Sequence, residues 1–130
     1  MFTPKQIEFA HSKVASGADF PKYIQEIKGL GVLAFETWVI DSHTSYFGAN
    51  SFCIQSLPQY EQLTISPTSN KDAFIHYLKM HQMGETDYTS FCKQCAETGI
   101  EKWTVDIEKM TCIYYDRDEN QILVETIPRL

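Results

Sequence analysis

The length, composition and charge of the chain narrow its class. Its 130 residues match one domain, and folding at this size hides about two-thirds of the extended chain's surface, so a core needs no disulfide or metal. Apolar residues make up 43% and charged residues 22% of the chain, which excludes disorder. A net charge of −6, with eleven scattered basic residues, excludes a nucleic-acid surface. We predict a single domain over residues 1–130 without a nucleic-acid partner.

The sequence has neither of two patterns that would indicate a location outside the cytoplasm, a membrane span or an export signal. No stretch reaches the roughly 18 consecutive apolar residues of a membrane span, and the start, MFTPKQIEFAHSK, lacks the basic and apolar segments of an export signal. We therefore expect a cytoplasmic protein without a membrane partner. In that compartment the four cysteines are expected to be free thiols rather than two disulfides.

Two helices are predicted at the start of the chain. Thr3 and Gln6 form the pattern of a capping box, and an apolar stripe at helical spacing follows until Gly17. Asp19 is the predicted N-cap of a second helix with one apolar face, which the glycines within residues 29–31 end.

Strands are predicted next. The period changes from helical to alternating in VLAFETWVID, residues 32–41, which indicates a strand with Phe35 on one face and Trp38 on the other. Two short strands are expected at residues 44–47 and 52–55, and an edge strand at residues 62–65.

The second half of the chain begins the pattern again. Ser69 precedes one predicted helix, closed by Gly84, and Asp87 caps another, closed by Gly99. Three strands are predicted to follow, at residues 103–107, 111–115 and 121–127.

The two halves match at a spacing of 68 residues, the distance from Asp19 to Asp87. The aromatic positions that coincide are Phe20 with Tyr88, Tyr23 with Phe91, Phe35 with Trp103, Tyr46 with Tyr114 and Phe47 with Tyr115. We predict an α+β fold of two tandem ααβββ units, about residues 1–66 and 67–130. Because each unit alone would leave an apolar face uncovered, they should form one antiparallel sheet of about six strands with the four helices packed against it.

Cys92 and Cys95 form a Cys-x-x-Cys pair in the helix predicted after Asp87. At the 68-residue spacing they fall on Ile24 and Ile27, so we expect them to be buried as small apolar residues. Two alternatives stay open. One is a reactive thiol at Cys92, which a helix N-terminus or a cation would have to activate. The other is half of a zinc site, whose remaining ligands have no matching spacing. We expect no metal and no cofactor.

The histidines are expected to have structural roles. His11 and His81 fall on apolar helix stripes, where a histidine hydrogen-bonded within the core is commoner than a catalytic base. Asp41 and His43 lie at the predicted hairpin after the first strand, where a turn aspartate and a solvated histidine are commoner than a metal or proton-transfer pair. Glycine-rich phosphate loops, nucleophile elbows and metalloprotease motifs are absent from the sequence, so the catalytic residues, if the chain has any, are unknown.

The two tryptophans differ in their neighbours. Trp103 alternates with apolar residues and should face the helices, whereas Trp38 points to a mixed face. An exposed tryptophan among polar residues is a frequent anchor of interfaces. The alternative is that Trp38 only covers the sheet beneath residues 58–65. We hypothesise a contact surface for a partner or a second copy of the chain, formed by Trp38, Glu36, Tyr46 and Asp106.

Three stretches are distinctive: SGADFPKYIQEIKGLGV at residues 16–32, residues 84–103 with Thr86-Asp87-Tyr88 and Phe91-Cys92, and KMTCIYYD at residues 109–116. Through them, and over nearly its full length, the chain resembles the YbcV-like family of bacterial proteins of unknown function, often labelled "phage envelope protein". The resemblance implies no activity, substrate or catalytic residue. One departure is Asp41-Ser42, where the family tends to have Asp-Gly.

The function expected from the sequence is a non-enzymatic binding or interaction module for an unknown ligand or protein. One alternative is a cysteine-dependent enzyme or redox protein that uses Cys92. Another, implied by the resemblance alone, is a phage-derived structural protein.

Overall fold

The computed structural model of the chain describes residues 1–15 and 17–128. Two helices and three strands follow one another twice, which confirms the predicted α+β class and the tandem ααβββ order. The first set consists of α1 (Pro4–His11), a short 3-10 helix (Gly17–Asp19), α2 (Phe20–Leu30), β1 (Ala34–Trp38), β2 (Thr44–Phe47) and β3 (Cys53–Gln55). The second consists of α3 (Lys71–Gln82), α4 (Tyr88–Glu97), β4 (Lys102–Asp106), β5 (Thr111–Tyr115) and β6 (Gln121–Thr126). A membrane-spanning helix is absent from the described residues.

All six strands form one antiparallel sheet, as predicted, in the order β3-β2-β1-β4-β5-β6. The two halves of the chain therefore meet at the centre, where β1 pairs with β4 and Glu36 lies opposite Thr104. The outermost strands are β3, which has three residues, and β6, whose ladder with β5 has a register shift between Tyr114 and Tyr115.

The helices cover one face of the sheet, which we call the inner face. Phe35 pairs with Tyr46 in the first half, and Trp103 pairs with Tyr114 in the second. All four side chains are buried on the inner face. The alternate residues of β1 and β4 form part of the opposite, outer face and are half-buried; they are Ala34, Glu36, Trp38, Lys102, Thr104 and Asp106.

Two of the four helix starts, those of α1 and α4, follow the sequence. The capping box is formed in both directions, since the Gln6 side chain accepts from the Thr3 N–H at 2.8 Å and the Thr3 hydroxyl accepts from the Gln6 N–H at 3.2 Å. Asp87 caps α4 by accepting from the backbone N–H of Ser90. Asp19 does not cap α2, because a 3-10 helix precedes it and turns the carboxylate back to the N–H of Ala15, 2.9 Å away.

Three further boundaries differ from the prediction. Asn70, rather than Ser69, caps α3. Gly29 lies inside α2, which ends at Gly31 in the left-handed conformation. Residues 62–65 form no strand, because Leu63 makes one isolated backbone bond to the carbonyl of Ile40 rather than a ladder.

The cysteines of α4 are part of the core, as predicted. Cys92 and Cys95 are fully buried and Cys112 of β5 nearly so, whereas Cys53 of β3 is exposed. Burial disfavours a thiolate and raises the pKa of Cys92 to about 11 and that of Cys112 to about 12. The structure therefore gives Cys92 neither the access nor the ionisation of a reactive thiol.

The first half of the chain packs closely on the second at Gly17. A Cβ atom on this residue would lie 2.6 Å from Cδ2 and 2.7 Å from the backbone oxygen of His81 in α3. Only glycine allows the 3-10 helix to pack this closely on α3. Gly29 is a useful contrast, because a Cβ built there would meet nothing within 4 Å.

We expect Gly17→Ala to lower the free energy of unfolding by about 1–3 kcal/mol, because the backbone oxygen of His81 cannot move aside as a side chain can. Gly29→Ala is the matched control and should raise it by about 0.5–1 kcal/mol, since alanine is the better residue inside a helix. Urea unfolding of both variants measures the difference. Equal shifts of the two midpoints would contradict the close approach at Gly17.

The burial pattern also predicts thiol reactivity. In the native protein at neutral pH, 5,5′-dithiobis(2-nitrobenzoic acid) should modify Cys53 rapidly and the other three cysteines only after unfolding. Cys53→Ala is the control and should abolish the fast phase. Rapid modification of Cys92 in native Cys53→Ala protein would refute its burial and restore the cysteine-dependent alternative.

Candidate functional site

A cleft of about 530 Å³ lies between the helices and the inner face of the sheet. Residues of α1, the 3-10 helix and α2 line it from the first half of the chain, and residues of α3 and α4 line it from the second. The inner faces of β1, β2, β4 and β5 contribute further lining residues. The cleft therefore exists only where both halves of the chain meet.

Aromatic side chains dominate the lining. Neighbouring ring centroids are 5.6 Å apart for Phe35 and Tyr46 and 6.1 Å apart for both Phe91 with Trp103 and Trp103 with Tyr114. Such separations with tilted rings are typical of favourable aromatic pairs. Eight aromatic residues line the cleft: Phe20, Tyr23, Phe35, Tyr46, Tyr88, Phe91, Trp103 and Tyr114.

The local folding of each half explains why these residues meet. In both halves, two aromatic residues lie three apart near the start of the second helix, one lies in the first strand, and one pairs with it from the second strand. The eight residues are the first four aromatic matches of the 68-residue spacing. From the sequence we interpreted those matches as a shared core. The same matches are the sequence pattern from which the cleft could have been predicted.

Hydroxyl groups pair at the cleft wall. The hydroxyls of Tyr23 and Tyr46 are 3.2 Å apart, and those of Thr37 and Thr44 are 2.9 Å apart. Burial raises the pKa of both tyrosines, so they remain neutral hydroxyls at physiological pH. A neutral hydroxyl both donates and accepts a hydrogen bond, which suits the polar edge of a mainly apolar ligand.

Ser42 adds another hydroxyl contact. Its backbone is in the left-handed region, with φ 63°, which favours glycine. The same conformation would suit a glycine, and the YbcV-like family that the sequence resembles tends to have Asp-Gly where this chain has Asp41-Ser42. The Ser42 hydroxyl lies 2.6 Å from the hydroxyl of Tyr88, so the serine links the β1–β2 connection to α4 at the edge of the cleft.

The two histidines predicted in the core have different environments. His81 is buried, its Nδ1 lies 3.1 Å from the carbonyl oxygen of Thr86, and its ring stacks on Phe91 at 4.4 Å, as expected of a core histidine. The prediction for His11 is wrong. The residue is exposed rather than in the core, and its ring lies at the cleft, in edge contact with Tyr23 at 5.4 Å and Tyr88 at 5.6 Å. Partial burial lowers the pKa of His11 and favours the neutral ring.

The charged residues of the cleft are acidic. Among the described residues that line it, Glu8 of α1 and Glu125 of β6 carry carboxylates, and none is lysine or arginine. Glu125 lies opposite Cys112 in the β5–β6 pair and is half-buried. Gln82 of α3 donates to both of its oxygens, at 3.1 and 3.4 Å, while burial raises its pKa.

The four residues predicted to form a contact surface do not share one patch. Glu36, Trp38 and Asp106 lie on the outer face, but Tyr46 lies on the inner face because it pairs directly with Phe35. Asp106 is four residues along β4 from the partner of Trp38, a separation of about 13 Å at strand spacing. Three of the four predicted residues thus share the outer face, and Tyr46 does not.

The ring of Trp38 is flanked from both neighbouring strands. The ring of His43 stacks beside it at 6.1 Å, and the Lys102 Nζ lies 4.8 Å from its centroid. Lys102 also bridges two carboxylates, those of Glu36 and Glu119, each at 3.3 Å. These contacts already occupy the indole, which is only half-exposed.

Metal binding has no support in the described part of the chain, where no group of three or more His, Cys, Asp and Glu side chains could hold an ion. Asp41 and His43 form a local turn pair instead. The Asp41 Oδ1 accepts from the His43 backbone N–H at 2.9 Å and lies 2.5 Å from its Nδ1. This geometry matches the default expected for a turn aspartate.

Comparisons with known proteins agree on a family without an assigned activity. A family model described as "Protein of unknown function (DUF1398)" matches residues 8–126. Uncharacterised proteins of Mycobacterium bovis and Mycobacterium tuberculosis are each 24% identical to this chain over 98 residues. The match covers 74% of this chain and 59% of each relative, so the chain spans less than two thirds of these curated relatives. Since the family model covers most of the sequence, the chain belongs to the DUF1398 family of proteins of unknown function.

Proposed function

We propose that this protein binds a small organic molecule with a ring-containing apolar body in the cleft, and that it does not transform it. The observation that carries this proposal is a cleft of about 530 Å³ lined by eight aromatic side chains. That volume falls within the range of about 300–1,000 Å³ of small-molecule sites, which are also mainly apolar with a few placed polar groups.

Close packing beside the cleft supports the interpretation of the open space as a binding site. Beside the cleft, Ile24, Ile27, Val105 and Ile107 are at most 1% exposed, so this sequence can close a core where nothing needs to enter. Protein interiors are close-packed, and space left among apolar side chains costs stability in proportion to its volume. A ligand that fills the cleft would recover the contacts that the aromatic rings forgo.

The polar groups support orientation rather than catalysis. The hydroxyl pairs and the neutral His11 ring offer hydrogen bonds at the cleft wall. The only cysteine in the lining is Cys112, which is 2% exposed and has a raised pKa. A cysteine-dependent reaction therefore has less support than binding.

Two other roles remain without further support. Trp38, Glu36 and Asp106 stay a predicted contact for a partner or a second copy of the chain, although neighbouring side chains flank the indole. A phage-derived structural role rests only on the resemblance to YbcV-like proteins, and an origin of the two ααβββ units by duplication stays a prediction.

The test uses N-phenyl-1-naphthylamine, a neutral aromatic probe that fluoresces in apolar surroundings. We expect saturable binding of one probe per chain. In Trp38→Phe protein the remaining tryptophan, Trp103, lines the cleft, so its emission should fall as the probe binds. Failure of the probe to saturate, or an unaffected Trp103, would contradict the proposal.

Two isoleucines supply matched variants. Ile54 and Ile113 are both half-buried strand residues, but Ile54 lines the cleft and Ile113 lies on the outer face. Ile54→Trp should weaken probe binding at least about tenfold by filling the cleft, and Ile113→Trp should leave it unchanged. Thermal unfolding of both variants checks that they fold. Equal weakening would mean that the probe binds elsewhere.

A further inference from the structure

Among the described residues, the charged side chains that line the cleft are all acidic, and the packing of the core does not require them there. The charged side chains of its described lining are the carboxylates of Glu8 and Glu125. Neither takes part in the ion pairs of the described residues, which are Lys13–Glu26, Asp41–His43, Lys102–Glu36 and Lys102–Glu119. Two carboxylates thus face the same apolar space without a cation from the described chain.

Glu125 is the more informative of the two carboxylates, because it is half-buried whereas Glu8 is exposed. It is half-buried on the inner face of β6, and its hydrogen-bond partner is the neutral amide of Gln82. A carboxylate removed from water is expensive unless a positive charge compensates it. An amide donates hydrogen bonds but carries no net charge, so a cationic ligand would add a compensation that Gln82 does not supply.

The aromatic lining favours the same kind of ligand. The faces of tyrosine, tryptophan and phenylalanine rings attract cations, and the attraction grows when the cation is removed from water. The chain already holds one cation in this manner on its outer face. There the Lys102 Nζ lies 4.8 Å from the Trp38 ring centroid and 5.2 Å from that of Tyr115, between the carboxylates of Glu36 and Glu119.

From these observations we infer that the ligand of the cleft is an organic cation: an amine or quaternary ammonium group on a ring-containing apolar body. This inference rests on the proposed function, since it names the chemistry of the molecule that the same cleft would bind. The body packs among the aromatic rings, and the positive group lies against them near Glu125, with Glu8 as the second carboxylate. An anionic ligand would meet two like charges in the same space.

The experiment compares three small probes that differ mainly in charge. Benzyltrimethylammonium is the cation, neopentylbenzene is its neutral isostere, with carbon in place of nitrogen, and phenylacetate is the anion. Each competes with N-phenyl-1-naphthylamine for the wild-type protein. We expect the cation to displace the probe at about a tenfold lower concentration than the neutral isostere, and phenylacetate to be the weakest competitor. A merely apolar cleft gives the opposite order, because the neutral isostere is the more hydrophobic.

Variants test whether the two carboxylates cause the preference for the cation over its neutral isostere. Glu125→Gln should reduce the preference for the cation over its isostere, and more than Glu8→Gln does. Glu108→Gln, at an exposed turn position, is the control for net charge and should keep the preference. Glu8→Gln should reduce the preference by about threefold, and its exposed site removes the risk that the variant fails to fold.

The outcomes separate the two proposals. If N-phenyl-1-naphthylamine binds in the cleft but the neutral isostere competes as well as the cation, the organic-cation inference fails and the proposed function stands. The inference also fails if the cation preference survives in both Glu125→Gln and Glu8→Gln. If neither the fluorescent probe nor any competitor binds, the proposed function fails and the inference fails with it.

Discussion

The antiparallel pairing of β1 with β4 is the contact on which the rest of the molecule depends. It is the only strand pair that joins the two halves of the described chain, and it places Glu36 opposite Thr104 at the centre of the sheet. Since Tyr23 of α2 contacts Phe35 of β1 and Phe91 of α4 contacts Trp103 of β4, this register contributes to the separation of α2 from α4. The width of the aromatic cleft therefore depends on a backbone ladder as well as on the side chains that line it.

This arrangement puts stability and the proposed binding in the same residues. Rings such as Tyr23, Phe35 and Trp103 are nearly buried, so they belong to the core, yet each also contributes surface to the cleft. Aromatic side chains suit both tasks because they bury large areas with few rotatable bonds. The close approach of Gly17 to His81 borders the same space and is a further contact between the halves.

Local patterns predicted local structure well, whereas relations between elements were harder to obtain from the sequence. The stripe positions of Cys92 and Cys95 and the capping box at Thr3 depend on residues within one helix, and each was correct. The face of Tyr46 depends on its pairing with Phe35, which alternation within a four-residue strand does not reveal. The orientation of His11 depends in the same way on the position of α4, since one of its ring contacts is Tyr88.

The two edge strands affect whether the open sheet can pair with the sheet of another molecule. Exposed strand edges offer unpaired main-chain groups that can recruit another molecule and begin aggregation. Here β3 presents three residues, and β6 combines an interrupted ladder with an inward-pointing charge at Glu125. A foreign strand added beside β6 would have to bury that carboxylate further and follow an irregular register. The acid to which we assign the proposed cation preference thus also protects one edge of the sheet against fibril-like extension.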